Sequence, residues 1–437
     1  MLVFFSDIHL TDGTSGETIN PGAFDIFADH VAELARKRRA REVRIVLLGD
    51  GLDVIRSVRW LKSPTGTRPW DAPGELQETL TLDVLRATLD ENREALEFLA
   101  ELPGRVAERT KGRVPAERVR LDYVLGNHDW IINRYRSARA LVAQRLNLPR
   151  PRYVEEGFPV AFRSPPEAYN VVARHGDLYD RLNYDAQSGR DASSLGDAIV
   201  IELLNRLPVE VENELGSSPE YEPVLASLRE IDNLRPLTLA PAWVVETASR
   251  LGADQPDVAK AIRRALRRCI DEFRQTPMYT EFGKRQLTWL QRALLDDALN
   301  QVKRSRIAWL DRWTTYAMPL LQGGKPWARQ VPWLATYARG QPEYALGERH
   351  SGGTPPRYVI YGHTHRPGSA PLGPESGRFT MNSGTWRTVW ERAETGDEAR
   401  HFDSWKVMSY IAVYSDGETR GKHQFEVWTG NLRDRMR

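Results

Sequence analysis

Val43-Arg-Ile-Val-Leu-Leu-Gly-Asp-Gly-Leu-Asp53 is a short apolar run of strand character that stops at a glycine and then sets two carboxylates three residues apart. Ahead of it, Leu2-Val-Phe-Phe5 ends the same way, in Ser6-Asp-Ile-His9, and between the two runs Phe24, Phe27, Val31 and Leu34 recur at helical spacing. Strand, helix and strand, each strand closing in polar residues, predicts a layered α/β fold, in which ligands collect at the carboxyl ends of the strands. Outward from there, residues 75–102 carry a helical pattern, Val119–Leu125 alternates before Gly126, and Tyr169–Ala173 is a further apolar run. From 180 to 354 the texture is helical, with patterns over Leu195–Leu207, Ala242–Leu251, Val258–Phe273 and Lys284–Val302. Strands return at Arg357–Tyr361, Arg378–Met381, Val407–Tyr414 and Gln424–Trp428. The predicted organisation is a discontinuous core, 1–179 and 355–437, interrupted by a mostly helical insertion over 180–354 that acts as lid, cap or interface. Ser351-Gly-Gly-Thr-Pro-Pro356 reads as the returning linker.

The chain has 437 residues, with Lys+Arg 61 against Asp+Glu 59, a formal charge of +2. This balance disfavours a strongly basic nucleic-acid protein and an acidic disordered tail. Cys269 is the single cysteine, which excludes a disulfide-stapled scaffold and fits a reducing compartment. No stretch approaches the roughly 18 apolar residues of a membrane span. The N-terminal run lacks a basic lead-in, so the expectation is a cytoplasmic protein without an integral membrane segment.

The strand ends carry Asp7 and His9, Asp50 and Asp53, Asn127, His128 and Asp129, His175 and Asp177, and His363 and His365; five of the nine histidines lie in these motifs. On an extended segment Asp-x-His and His-x-His place both side chains on one side, so that two donors converge. Imidazole nitrogen mixed with carboxylate oxygen suits manganese first, with iron or zinc as alternatives. Seven donors with one shared carboxylate make two sites. Two divalent ions roughly 3.5–4 Å apart form a clamp for phosphate-ester hydrolysis, a water between them losing a proton to become the nucleophile. Any one of these residues alone reads as a cap or turn; the ordered set carries the metal reading. Asp129 and Asp177 are candidates for holding a ligand histidine, with a helix cap equally open for Asp129. Arg56 is a candidate phosphate clamp, with a solvated loop arginine as the alternative, and Arg134 and Arg136 carry the same two readings. Lys260, Arg263, Arg264, Arg267 and Arg268, with Lys303, Arg304 and Arg306, form either a polyanion groove or a solvated helix face. Trp289, Trp309, Trp313, Trp327 and Trp333 fit core packing or a cap over the site. His30, His350, His401 and His423 lie outside every motif and are read as surface or core residues.

The ordered set Asp-x-His, Gly-Asp-x-x-Asp, Gly-Asn-His-Asp, His-Gly-Asp and Gly-His-x-His resembles the calcineurin-like metallophosphoesterase superfamily. The resemblance implies a four-layer α-β-β-α sandwich with two facing sheets. It also implies that Asp7, His9 and His365 hold one metal, that Asn127, His175 and His363 hold the other, and that Asp50 bridges them. His128 would face the scissile phosphate and assist the transition state or leaving group, oriented by Asp53. Val54 and Asp129 stand where the serine/threonine protein phosphatases of the superfamily have arginine and glutamate, which disfavours that branch. Gly362-His-Thr-His-Arg-Pro367, Met381-Asn-Ser-Gly-Thr-Trp386 and His175-Gly-Asp177 are similar to the branch containing the UDP-2,3-diacylglucosamine pyrophosphatases. That branch usually has arginine at the position of His128, and its chains are much shorter. The expectation is therefore a hydrolase of a phosphodiester, pyrophosphate or phosphomonoester in a phosphorylated small molecule. A DNA or RNA nuclease of the same superfamily, which would need nucleic acid as partner, is the second reading, and a metal-binding scaffold without turnover the third. The oligomeric state is left open.

Overall fold

The computed structural model describes residues 1–16, 21–63, 66–180, 182–234, 240, 243–244, 246–247, 256–303, 344–373, 377–392, 402–418 and 424–432. Its architecture follows from two-faced strands. In β1 (Leu2–Phe5) every side chain is buried, but Val3 and Phe5 point into one apolar cluster while Leu2 and Phe4 point into another. The same period-two division splits β2 (Val43–Leu48), with Val43, Ile45 and Leu47 on the first side and Val46 and Leu48 on the second. A strand buried on both faces must have a layer on each.

On the first side lie helices. Gly22–Lys37 contributes Phe24, Phe27 and Val31, and Arg93–Arg109 contributes Leu96, Leu99 and Val106. Val200, Leu204, Leu207, Val211, Ile262, Ala265 and Cys269 belong to this same continuous cluster, so the helices of the 195–275 region are packed into it. Trp386 is buried at its centre against Phe5, Phe24 and Phe27, its indole N–H donating to Ser409 O at 2.6 Å. On the second side lies another sheet: Val171, Ala173, Tyr358, Ile360 and Met381 share the cluster with Leu2, Phe4, Val46 and Leu48.

The molecule is thus mixed α/β with two mixed sheets. β3 (Val119–Val124), β4 (Phe162–Ser164), β5 (Val171–Ala173), β6 (Tyr358–Tyr361), β7 (Gly368–Pro371), β8 (Phe379–Asn382), β9 (Thr388–Arg392), β10 (Phe402–Val413) and β11 (Phe425–Leu432) complete them. The first sheet runs β11-β10-β1-β2-β3, with β9 also on β10; the second runs β4-β5-β6-β8-β7. β1, β2 and β3 are parallel, as are β5, β6 and β8, so five candidate motifs emerge at strand carboxyl ends. Among the described residues the outer face of the second sheet is covered by a small cluster of Ala345, Val359, Tyr361 and Leu372.

Three short or edge strands, β4, β7 and β9, were not expected from the sequence; the exposed β7 carries no apolar alternation to betray it. The helix expected over 75–102 is two, Glu75–Glu91 and Arg93–Arg109. At the break, Asn92 turns its side-chain amide to Thr11 O (2.6 Å) and Thr88 O (2.8 Å). The helix expected over Leu195–Leu207 is wound more widely at Val200–Asn205 and continues as Arg206–Leu215. The pattern over Val258–Phe273 is the helix Pro256–Gln275, whereas Lys284–Val302 is interrupted before Trp289–Lys303. Trp289, expected in a core or cap, is 80% exposed. Most of Ala242–Leu251, together with Arg304, Arg306, Trp309, Trp313, Trp327, Trp333, His401 and His423, lies outside the described residues. No helix among the described residues is long and apolar enough to cross a membrane.

Candidate metal centre

Beyond the ends of β1 and β2 the two chains continue side by side, Asp7 N donating to Gly49 O (3.1 Å) and His9 N to Asp50 O (2.9 Å). The second sheet brings its loops alongside, Gly362 N donating to His175 O (2.8 Å). Thr385 Oγ1 and Trp386 N donate to Asp7 O, at 2.7 and 3.2 Å, tying the segment after β8 to the first sheet. Asp7, His9, Asp50, His363 and His365 all have positive φ, between 52° and 68°, and make up five of the nine such non-glycine residues among the described ones. The left-handed region is unfavourable for side chains of this kind, and clustering of such strain marks places the surrounding structure holds for a purpose. The donors of each pair therefore meet through tight left-handed turns past the strand ends, and not through the strand alternation expected from the sequence.

The glycines that open these motifs are sites of close approach. A Cβ on Gly126 would lie 2.1 Å from Asp50 Oδ1, and one on Gly49, whose φ is +87°, would lie 2.4 Å from His175 Nδ1.

Asp7 is fully buried. Its Oδ2 accepts hydrogen bonds from Ser6 Oγ and His363 N (3.0 Å), whereas its Oδ1 receives none. Around Oδ1 stand three imidazole Nε2 atoms, of His365 at 3.2 Å, His9 at 3.7 Å and His175 at 4.0 Å. Asp50 accepts His128 N on Oδ1 (2.9 Å) and turns Oδ2 between the two sets, 3.0 Å from His175 Nε2 and 3.7 Å from His9 Nε2. Asn127 Oδ1 lies 3.1 Å from His175 Nε2. His175 donates its Nδ1–H to Leu48 O (2.9 Å), leaving the Nε2 lone pair toward the cluster. His9 does the same with Asp53 Oδ2 (2.8 Å), and its Nε2 faces His365 Nε2 at 3.1 Å.

Asp7, His9 and His365 form one group able to hold a metal ion, and Asp50, His175 and His363 form another. A buried carboxylate oxygen without a donor, facing imidazole lone pairs that also face one another, is costly unless a cation sits among them. The donor set fits such an ion. His9, Asp53 and His128 also lie close together, but there the 2.8 Å contacts are Nδ1–H donations to the two Asp53 oxygens. Burial would push the Asp7 and Asp50 carboxyls up, yet the imidazoles beside them hold both well below the usual range. Burial likewise pushes His128 and His175 down; Asp53 and Asp50 outweigh it at His128, raised to about 9, and Asp50 and Asp7 at His175, raised to about 10.

Asp53 holds not only His128 but also His9, so one carboxylate orients both rings. Asp129 holds no histidine and caps no helix: it accepts Gly51 N (3.1 Å), Gly126 N (2.5 Å) and the Tyr123 hydroxyl (2.6 Å), locking two ligand loops together. Asp177 pairs with Arg190 (3.2 Å) rather than with a histidine. Arg56, expected on substrate, is 1% exposed and paired with Asp232 (2.9 Å), which also binds Arg387 (2.8 Å). Burial against a second-layer carboxylate takes it out of reach of a solvent-borne phosphate. Arg134 donates to Pro69 O and Gln77 Oε1, both at 2.8 Å, with its guanidinium over Trp130, and Arg136 pairs with Glu155 on the surface. His30 packs against Trp428, and His350 bonds Asn170 Oδ1 (2.8 Å). Two residues that the sequence reading passed over, Asp180 and Asn183, reach the cluster from the loop after His175-Gly-Asp177: Asp180 Oδ2 is 3.2 Å from His363 Nε2, and Asn183 Oδ1 is 3.4 Å from Asn127 Nδ2. An acid and an amide three apart in a polar loop directly after a ligand motif were the available signal.

No protein-family model, no curated protein and no solved structure matches the chain.

Proposed function

We propose that the protein is a phosphoesterase dependent on two divalent metal ions, of the calcineurin-like kind that its motifs resemble, with the two facing sheets as the inner layers of a four-layer sandwich. The observation that carries this reading is the pair of adjoining buried donor groups with Asp50 Oδ2 between them and His128 beside them, outside both metal groups. Asp7, His9 and His365 would hold one ion, Asn127, His175 and His363 the other, and Asp50 would serve both; manganese suits the mixed nitrogen and oxygen donors, with iron or zinc next. When bound, such a pair supplies Lewis-acid polarisation of a phosphoryl oxygen and activation of water.

The protein's own part centres on His128. Its Nδ1–H is fixed on Asp53 Oδ1 and its side chain keeps 15% exposure, more than any proposed ligand histidine. With its Nδ1–H held by the Asp53 carboxylate, which raises it, His128 is placed as a proton donor for the leaving oxygen and a positive charge beside the phosphoryl group. Asp53 keeps the ring's orientation, and its grip on His9 makes the acid and the first ion site one rigid unit.

The small-molecule reading is favoured over the nuclease by the fate of the basic helix. Arg264 and Arg268 pair with Glu214 and Glu210, Lys260 with Asp257, and Lys303 with Asp271, so these cations are already matched to acids. A nuclease needs a track of cations left for phosphates. The test is manganese-dependent hydrolysis of bis-p-nitrophenyl phosphate beside p-nitrophenyl phosphate, with Asp50→Asn as control. Cleavage of either ester that the control loses supports the proposal, and metal binding without cleavage of either substrate would favour a scaffold.

A further inference from the structure

Asp180 and Asn183 form a small hydrogen-bonded unit against one half of the metal centre. Asp180 is buried, its Oδ1 accepting Leu182 N (2.9 Å) and its Oδ2 accepting Asn183 Nδ2 (2.9 Å) while lying 3.2 Å from His363 Nε2. It is not a member of the donor group of Asp50, His175 and His363, and meets that group through its contact with His363 Nε2. Asn183 Oδ1 takes the Nδ2–H of Asn127 at 3.4 Å. An amide has an accepting and a donating end, and this contact, by engaging the nitrogen, leaves Asn127 Oδ1 turned to His175 Nε2, 3.1 Å away. A carboxylate on one nitrogen of an imidazole likewise fixes the ring and raises the basicity of the other nitrogen.

The unit therefore touches two of the three donors proposed for the second ion that are not shared. The first ion's donors are braced elsewhere, His9 by Asp53 and Asp7 by Ser6 and His363 N. The loop itself is fastened to the helical region: Gly196 N donates to Leu182 O at 2.6 Å, and a Cβ on Gly196 would lie 2.1 Å from Asn183 Oδ1.

We infer that Asp180 and Asn183 are positioning residues that set the affinity of the second ion site while leaving the first unchanged. The inference rests on the two-ion reading above. Its test is a manganese titration of the full-length protein, followed by calorimetry and by the electron paramagnetic resonance signal of a spin-coupled manganese pair, in wild type, Asp180→Asn, Asp180→Ala and Asn183→Ala. Thermal unfolding of each variant reports folding, and the near-isosteric Asp180→Asn and the separate Asn183→Ala carry the test where Asp180→Ala does not fold. The expected result is two equivalents in wild type; in the variants the first is unchanged, the second is weakened roughly 10- to 100-fold, and the coupled signal returns only at excess manganese. Equal weakening of both equivalents, or none of either, overturns the inference while the two-ion reading stands. A single equivalent in wild type overturns the two-ion reading, and this inference with it.

Discussion

The strand-end loops and the helical region 195–303 are both rich in ionisable side chains, and they use them in opposite ways. In the helical region charges are matched, within it and to its neighbours: Glu202 takes Arg206 and, from outside, Arg68, Glu210 takes Arg268, and Arg285 pairs with Asp185 of the preceding loop. In the strand-end loops Asp7 Oδ1 is left without a hydrogen bond among three imidazole nitrogens, on a backbone bent into the left-handed region at five of the donors. Satisfied charges hold elements together; convergent unsatisfied donors await a cation. What separates the two regions is the direction of the lone pairs, a property of the fold and not of composition.

The comparison is broken most severely at the shared carboxylate. Asp50→Asn is expected to lose manganese and with it turnover, by about 10³-fold or more, whereas His128→Ala keeps both equivalents of metal and loses about 10²- to 10⁴-fold in kcat. Metal content by elemental analysis beside steady-state kinetics separates the two, and full turnover in either variant would refute the role assigned to it.

Arg56 tests the opposite case, a motif-adjacent cation that the fold has turned into a brace. Arg56→Met removes one guanidinium from buried Asp232 while Arg387 remains, and is expected to destabilise by about 3–5 kcal/mol, read from urea unfolding. The KM of the folded fraction should stay at the wild-type value; a raised KM with unchanged stability would restore Arg56 to the substrate.

A subtler difference lies in protons. With no metal ion beside it, His175 is raised to about 10 by Asp50 and Asp7, so the Nε2 that would turn its lone pair to a bound ion takes up a proton that the ion must displace. Manganese affinity should rise with pH through the neutral range, and calorimetric titrations at pH 7 in buffers of different ionisation enthalpy should show proton release on binding. Proton uptake, or no dependence on buffer, would contradict this.

The smallest effect belongs to the helical region. Reversing Arg264 and Arg268 to Glu is expected to leave turnover on a small phosphodiester within about twofold, because surface ion pairs contribute little and lie outside the donor cluster. A steep loss confined to oligonucleotide substrates, with an altered salt dependence, would instead mark this helix as a polyanion track.

Several features were legible before any coordinates. Apolar runs such as Leu2–Phe5 and Val43–Leu48 specify strands because every second side chain has a layer to enter, and Val258, Ile262, Ala265, Cys269 and Phe273 specify a helix for the same reason at a different period. That the glycines opening the Gly-Asp, Gly-Asn and Gly-His motifs are places of close approach came only from the structure, where a side chain would collide with a neighbouring donor loop. The edge strand β7 was not legible, because a strand with one hydrogen-bonding partner and an exposed surface needs no apolar pattern.

The sequence by itself determined the buried parallel strands of the core and the list of donors that could meet, because burial imposes a period and ligation demands particular atoms. Tertiary structure alone decided which donors do meet and which charges are spent on one another. Asp53 serves two histidines, Asp129 locks loops, Arg56 is a brace, and Asp180 and Asn183 reach the cluster from the loop after His175-Gly-Asp177. Hydrogen bonds and ion pairs act over about 3 Å between residues up to hundreds of positions apart, and no local pattern records which of them the fold will bring to that distance.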